Sequence, residues 1–337
     1  MKTILFSGGG TLGHILPNAV VAEKLKEHNY RVVYLGEKNG MEEKICKRYG
    51  IPFYAIKAVK LDRYRLLSNF KIPALLPYSV TKTKKLINNI KPDLIFTKGG
   101  YVSLPVVIAG KMLGIKQICH ESDASLGIVN KIAYKLNAKV LTSYNCGFSE
   151  GKKVGIPLKP EFFIRKSYSP PEKSDKKKPT VLVTGGSQGA RSINNFILAN
   201  CDRILQNYNL IIIGGKTLDL TIDKHNLTLM DYTDKMEKYY SLADIVVARA
   251  GATTIAEILA LNKKAILIPL PLTVSRGDQR QNAENVASDT VKVIMQEDLE
   301  IDNFMNVLDN LQSVTKQEKE FVNPLDGVYE FIVKNLE

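Results

Sequence analysis

Five stretches of this chain hold side chains whose types and spacing can do chemistry. In "FSGGGTLGHILPNAVVAEKL", Phe6 to Leu25, an apolar run ends in three glycines, and His14 follows on the way into an amphipathic segment. A helix start disfavours a protonated imidazole, so His14 is either a proton acceptor or a capping and packing side chain. In "ICHESDASLG", His120 closes an apolar run, with Glu121 and Asp123 beside it. In "GGSQGARSINN", a turn offers backbone N–H groups at a helix start, together with Ser187, Gln188 and Arg191. Phosphate binds readily there, because the helix end carries partial positive charge and unpaired donors. "ARAGATTIAEI" gives another helix start at Gly251 to Thr254, with Glu257 a turn further on. A carboxylate so placed can chelate the two hydroxyls of a ribose, or simply face solvent. "PLTVSRGDQRQNAENV" brings Arg276, Asp278, Gln279, Arg280, Gln281 and Asn282 into one loop. Amide-rich loops suit sugar hydroxyls, which need paired donors and acceptors.

Gly8, Gly10 and Gly13 also fit G-x-G-x-x-G, and Glu37 follows a second apolar run where a ribose-binding acid belongs in a dinucleotide fold. A nicotinamide-dependent oxidoreductase is therefore an alternative. It predicts one cofactor domain beside an unlike catalytic domain.

The elements that position these residues repeat. "TILFSGGG" from Thr3 is matched by "TVLVTGGS" from Thr180. "LIFTKGGYVSLPVVIAGKMLGIKQICHE" from Leu94 is matched by "IVVARAGATTIAEILALNKKAILIPL" from Ile245. Each reads strand, glycine loop, helix, and in the second pair a further strand, so one fold is expected twice. Strands are expected at Thr3–Phe6, Val32–Leu35, Leu94–Thr97, Gln117–His120, Val181–Thr184, Leu210–Ile213, Ile245–Ala248 and Ala265–Ile268. They are continuous Val/Ile/Leu runs, as in parallel strands buried on both faces. The expected fold class is α/β, with two Rossmann-like doubly wound domains facing across a cleft and ligands beyond the carboxyl ends of the strands. The expected domains are 1–158 and 159–324, and the closing helix, 325–337, is able to pack back on the first domain. "SYSPPEKSDKKKP", Ser167 to Pro179, is polar, proline-rich and charged, so it reads as an exposed linker or loop.

Length and composition bound the rest. A chain of 337 residues suits two domains, and 45% hydrophobic with 24% charged residues is ordinary for a globular protein. No apolar run is long enough to span a bilayer, and "MKTILFSGGG" reads as a first strand and not as a signal peptide, so a cytoplasmic location is expected. Cys46, Cys119, Cys146 and Cys201 are far apart and read as reduced, buried thiols. There is no HExxH, no His-x-His and no Cys/His cluster, so no structural or catalytic zinc is expected, and no cofactor is assigned. The formal charge is 47 − 34 = +13, which suits a polyanionic partner or simple solubility. Nucleic acid is not the expected partner, because no reading module is present.

"GGGTLGHILP", "TKGGYVSLPVVIAG", "HESDASLGIVNK", "GGSQGARSIN", "AGATTIAEI" and "SRGDQRQNAEN" occur in the order and spacing of one family. Over essentially its whole length the chain resembles the MurG family, bacterial glycosyltransferases that add N-acetylglucosamine to the lipid-linked muramyl-pentapeptide of peptidoglycan synthesis. The "HESD" and "SRGDQ" wording is similar to the Gram-positive branch. The resemblance implies a GT-B fold, UDP-N-acetylglucosamine and lipid I as substrates, and lipid II as product. It implies that the C-terminal domain holds the donor, with Ser187 on the diphosphate and Gln188 beside it, and with Thr233 presenting backbone to the uracil. Glu257 would take the ribose hydroxyls, Ala252 and Thr253 would offer backbone N–H groups, and Gln279 would read the sugar hydroxyls. Thr11, Leu12, Gly13 and His14 would surround the acceptor. Leu12 replaces a common glycine. Lys159 stands where the family usually has an arginine near the donor phosphates, keeping the charge without the bidentate fork. Asp123 stands where other branches have an asparagine that contacts the donor sugar.

The family's reaction inverts the anomeric carbon, which needs one base on the acceptor hydroxyl. His14 is the leading candidate, with Glu121 or Asp123 as alternative or supporting groups. There is no Asp-x-Asp metal clamp, so helix ends, Ser187 and basic side chains must neutralise the leaving diphosphate. A lipid acceptor requires docking at the cytoplasmic face of the cell membrane. Leu66, Leu67, Phe70, Leu75 and Leu76, interleaved with Lys71, Lys82, Lys84 and Lys85, suit reversible binding to an anionic surface, or else a core helix with a solvated basic flank. Another UDP-sugar enzyme on the same fold, a lipid glycosyltransferase or an epimerase, is the remaining alternative.

Overall fold

The computed structural model describes residues 1–58, 72–144, 148–164, 166–186, 189–215, 218, 220–275, 277–315 and 321–337. The chain divides into two compact units, Met1–Leu158 with Pro324–Glu337, and Lys159–Asn323.

The first unit runs β1 (Thr3–Ser7), α1 (Leu12–Glu27), β2 (Arg31–Glu37), α2 (Met41–Arg48), β3 (Phe53–Ile56), α3 (Ile72–Ile90), β4 (Leu94–Thr97), α4 (Leu104–Met112), β5 (Lys116–Glu121), α5 (Ile128–Lys135), β6 (Lys139–Thr142) and β7 (Lys152–Lys153). Its sheet has the order β3-β2-β1-β4-β5-β6-β7, and the paired strands are parallel. Alternate residues feed opposite cores. Ile4 and Phe6 pack with α1 and α2, while Leu5 packs with Val80 and Ile87 of α3 and Val106 of α4. Connections between parallel strands must cross a face of the sheet, so both faces are covered and the central strands are apolar along most of their length.

The second unit runs β8 (Thr180–Thr184), α6 (Arg191–Ala199), α7 (Cys201–Leu205), β9 (Asn209–Ile213), β10 (Leu227–Met230), α8 (Met236–Leu242), β11 (Ile245–Ala248), α9 (Ala252–Ala260), β12 (Lys264–Leu267), α10 (Asp278–Glu284), β13 (Val291–Val293) and α11 (Ile301–Ser313). Its sheet order, β10-β9-β8-β11-β12-β13, repeats the pattern of the first. Val181, Val183, Ile212, Val247 and Ile266 pack against Ile193 and Ile197 of α6 and Phe304 and Leu308 of α11. The chain then closes with α12 (Pro324–Leu336), whose Leu325, Val328, Ile332 and Leu336 join the core of the first unit.

All eight expected strands are present to within two residues at either end. Five more, β3, β6, β7, β10 and β13, have two to four residues; all but β6 are half-exposed or exposed along much of their length, and β7, β10 and β13 also lack a continuous apolar run. The polar segment Ser167 to Pro179 does not join the two units. It lies within the second, where Asn209 Nδ2 donates to the carbonyls of Asp175 and Lys178, both at 2.8 Å.

Candidate functional site

In each sheet the strand order reverses beside the first strand, between β1 and β4 and again between β8 and β11. Connections leave in opposite directions there, so loops part at the carboxyl edge and leave room for a ligand. The candidate residues gather at these two edges.

In the first unit the loop after β1 runs into α1, with Thr11 as the extended N-cap residue. The His14 ring nitrogen Nδ1 lies 3.2 Å from the Gly9 carbonyl oxygen. That oxygen only accepts, so Nδ1 carries the proton and a neutral ring keeps its lone pair on Nε2. His14 is half-buried, and among the described residues no group bonds Nε2. The neighbouring glycine loop after β4 shapes this pocket. Gly100 sits at φ +74°, and a Cβ there would stand 3.0 Å from the Gly9 oxygen and 3.3 Å from His14 Nδ1. Only glycine meets both demands.

Glu121, at the end of β5, is buried and fully engaged. Its Oε1 accepts from the N–H groups of Ser122 and Asp123 at 2.9 and 3.1 Å. Its Oε2 accepts from the Gly127 N–H at 2.8 Å and from Asn130 Nδ2 at 2.9 Å. This carboxylate builds the loop that carries Asp123, a supporting arrangement. Glu37 accepts a 2.6 Å hydrogen bond from the Tyr101 hydroxyl. The acid that a dinucleotide would use is thereby taken by the protein's own chain.

In the second unit, Ser187 and Gln188 lie outside the described residues. Gly189 at φ +73° would place a Cβ 2.7 Å from the Gly214 oxygen, so the turn packs backbone against backbone. Ala252 and Thr253 open α9 behind Gly251. Glu257, further along that helix, accepts from the Tyr240 hydroxyl at 2.9 Å. Part of its surface stays exposed, yet its carboxyl end lies deep enough for burial to push it up to about 7. The Tyr240 hydrogen bond and the Lys159 charge oppose that rise. Gln279 Oε1 accepts from the Leu270 N–H at 3.1 Å, which fixes the amide and leaves Nε2 as a donor. Thr233, in the loop after β10, accepts from the Lys235 N–H at 3.1 Å.

The amide-rich loop around Gln279 divides by burial. Asn282 is fully buried and donates to the Ala250 carbonyl at 3.2 Å, so it builds the fold. Arg280 pairs with Glu284 one helical turn on, and Arg276 lies outside the described residues. Sequence reasoning also passed over Arg249, whose guanidinium donates to the carbonyls of Ile268 and Pro269, to Ser192 Oγ and to Gln296 Oε1. It ties the ends of β11 and β12 to the start of α6. Its place directly after an apolar strand was the available signal, because a charge there must be buried and paired.

The glycosyltransferase family 28 N-terminal domain matches residues 4–142, and the family 28 C-terminal domain matches residues 180–323. The chain is 33% identical over 354 residues to the UDP-N-acetylglucosamine--N-acetylmuramyl-(pentapeptide) pyrophosphoryl-undecaprenol N-acetylglucosamine transferase of Clostridium tetani, covering 99% of this chain and 98% of that protein. It is 34% identical to the transferase of the same description from Lachnospira eligens, over 99% of each. The crystal structure of Acinetobacter baumannii MurG superposes with a TM-score of 0.74 at 25% identity, covering 99% of this chain and all of that one. The chain belongs to the MurG family. Its two doubly wound units are those of GT-B glycosyltransferases.

Of the membrane residues that the MurG resemblance implies, Leu66, Leu67, Phe70 and Lys71 lie outside the described residues. Leu75 and Leu76 are half-buried on α3, and Leu76 packs against the core. Lys82 and Lys85 are exposed and Lys84 is half-buried. Lys82 lies 5.7 Å from the ring centre of the exposed Tyr78. Among the described residues no helix is long and apolar enough to cross a membrane.

Proposed function

We infer that this MurG-family protein transfers N-acetylglucosamine from UDP-N-acetylglucosamine to the 4-hydroxyl of the muramyl sugar of lipid I, giving lipid II and UDP. Kinship along the full length to transferases of that description carries the reading. The second unit binds the donor. Glu257 takes the ribose hydroxyls, Gln279 Nε2 and the N–H groups at Ala252 and Thr253 take sugar and phosphate oxygens, and Thr233 meets the uracil. Ser187, Gln188 and Lys159 face the diphosphate, so its negative charge meets helix ends and a cation as it leaves.

The first unit binds the acceptor around Thr11, Leu12 and Gly13. The acceptor oxygen attacks the anomeric carbon, the bond to the β-phosphate oxygen breaks with its electron pair going to UDP, and the hydroxyl proton passes to a base. The His14 tautomer supports Nε2 as that base, because its lone pair has no competing partner among the described residues. Asp123 supports the site from the loop that Glu121 holds. The protein works at the cytoplasmic face of the membrane, where the basic flank of α3 meets anionic lipid.

Incubating the purified protein with UDP-N-acetylglucosamine and a lipid I analogue tests the reading. Disaccharide product and UDP in equal amounts are expected, with little turnover of UDP-glucose. Release of UDP without acceptor, or epimerised donor as the only product, would overturn it.

A further inference from the structure

Glu37 is an acid that the chemistry above leaves unused. It ends β2, and its carboxylate accepts from the Tyr101 hydroxyl at 2.6 Å. Tyr101 stands beyond the end of β4, directly after Gly99 and Gly100. In the sheet, β2 and β4 flank β1 on opposite sides and are not paired with each other. The bond between Tyr101 and Glu37 therefore crosses the loop that leaves β1, which is the first glycine loop. A hydroxyl on a carboxylate at this length is a charge-assisted hydrogen bond, stronger than a neutral one. Burial, then the bond to Glu37, pushes the Tyr101 phenol up, so it stays the donor.

The loop beneath this bond is walled on each side. A Cβ at Gly10 would stand 3.5 Å from Tyr101 Cε1. A Cβ at Gly9 would stand 2.6 Å from Glu42 Oε1 and 2.8 Å from Val102 Cγ2, so Gly9 lies between the Glu37 side and the Tyr101 side of the crossing. Glu42 is 2% exposed, and its Oε1 accepts from the Glu37 N–H at 3.0 Å. The carboxylate that walls Gly9 thus also fixes the backbone of Glu37. The Gly9 oxygen in turn is the atom 3.2 Å from His14 Nδ1. Which imidazole nitrogen keeps the proton is set by the bond that the other makes. Glu37, Tyr101 and Gly9 therefore lead, contact by contact, to the His14 tautomer.

We propose that Glu37 is a positioning residue for His14: through the Tyr101 hydroxyl it straps the first glycine loop, holds the Gly9 oxygen on Nδ1 and so keeps the lone pair on Nε2. The use of that lone pair as a base rests on the functional reading above. The strap itself does not. Without the Glu37 acceptor the Tyr101 side chain is free to turn away, one wall of the loop is lost, and the Gly9 oxygen no longer holds the ring.

Nitrogen–proton correlation spectra of the full chain with isotope-labelled histidine test this at about pH 8, where an ordinary imidazole is neutral. The chain has four histidines, and His14→Ala identifies the signal. The wild type is expected to carry the His14 proton on Nδ1. Glu37→Ala, shown to be folded by its thermal unfolding midpoint, is expected to shift it toward Nε2. Glu37→Gln still offers an acceptor oxygen and is expected to keep it on Nδ1. Steady-state kinetics with UDP-N-acetylglucosamine and a lipid I analogue read the consequence. Glu37→Ala is expected to lower kcat about tenfold with donor KM within about twofold of wild type, and Glu37→Gln to recover kcat to within about threefold. A wild-type proton on Nε2, which needs no variant, would overturn the proposal. So would a proton kept on Nδ1, or an unchanged kcat, in folded Glu37→Ala. Absence of transfer by the wild type would instead sink the functional reading and leave the spectra to decide the strap.

Discussion

The Tyr240 hydroxyl donates to Glu257 Oε2 across 2.9 Å, on a carboxyl group that burial has pushed up to about 7. A carboxylate accepts from both hydroxyls of a ribose in charge-assisted hydrogen bonds, which are about twice as strong as those a protonated carboxyl can make. Donor binding is therefore expected to tighten as pH rises through about 7 and to release a proton from Glu257. Calorimetry with UDP in two buffers of different ionisation heat measures that proton. A donor Kd that stays flat from about pH 5.5 to pH 8.5 would remove Glu257 from the ribose role. Because the folded value lies above the ordinary 4.5, the same group makes the unliganded protein less stable as pH rises from about 4.5 to about 7. Tyr240→Phe, which deletes the hydrogen bond that lowers the value, should move the binding midpoint upward.

Replacing His14 with alanine should reduce turnover about 10²–10⁴-fold, the usual worth of a positioned general base. Donor affinity should not change, because His14 belongs to the first unit and the donor residues to the second. Near-normal turnover at intact donor affinity would pass the role to Asp123.

Arg249→Met removes the guanidinium donor from the carbonyls of Ile268 and Pro269 and from Ser192 Oγ, and leaves Gln296 Oε1 with the Ser192 hydroxyl as its donor. The expected loss is about 2–4 kcal/mol, seen as a lower urea midpoint at constant m. Donor KM should rise as well if the turn before α6 holds the diphosphate as proposed, since Ser192 lies in the first turn of that helix.

Ile332 of the closing helix is fully buried in the first unit's core. Ile332→Ala should cost about 2–4 kcal/mol in the same unfolding experiment. A cost under about 1 kcal/mol would mean that the helix is not part of that core in solution.

Changing Lys82, Lys84 and Lys85 together to glutamate should weaken co-sedimentation with anionic vesicles. At about 1 kcal/mol for each basic residue near the surface, charge reversal should exceed tenfold. Binding indifferent to both salt and these changes would rule out electrostatic docking.

The sequence displayed both sheets, because buried parallel strands must be apolar at every position and so announce themselves as unbroken runs. It displayed the repeat for the same reason, and it displayed kinship, because six glycine and polar motifs keep their order. The weaker strands β7, β10 and β13 stayed hidden, since a half-exposed or exposed strand carries no such run. Residue types also marked the site's edges, where glycine loops meet helix starts.

What residue types could not decide was the partner of each polar group. Glu121 and Asp123 look equivalent in "HESD", yet Glu121 is spent on four donors while its neighbour sits on the loop so formed. Asn282 and Gln279 look equivalent in "DQRQN", yet one is a buried brace and the other, among the described residues, uses only its amide oxygen. Lys98 reads as an ordinary surface lysine until β4 carries it under the glycine loop and onto His120. Hydrogen bonds and desolvation act over a few ångströms between groups far apart in the chain, so the fold alone determines which charges are consumed and which remain for a substrate.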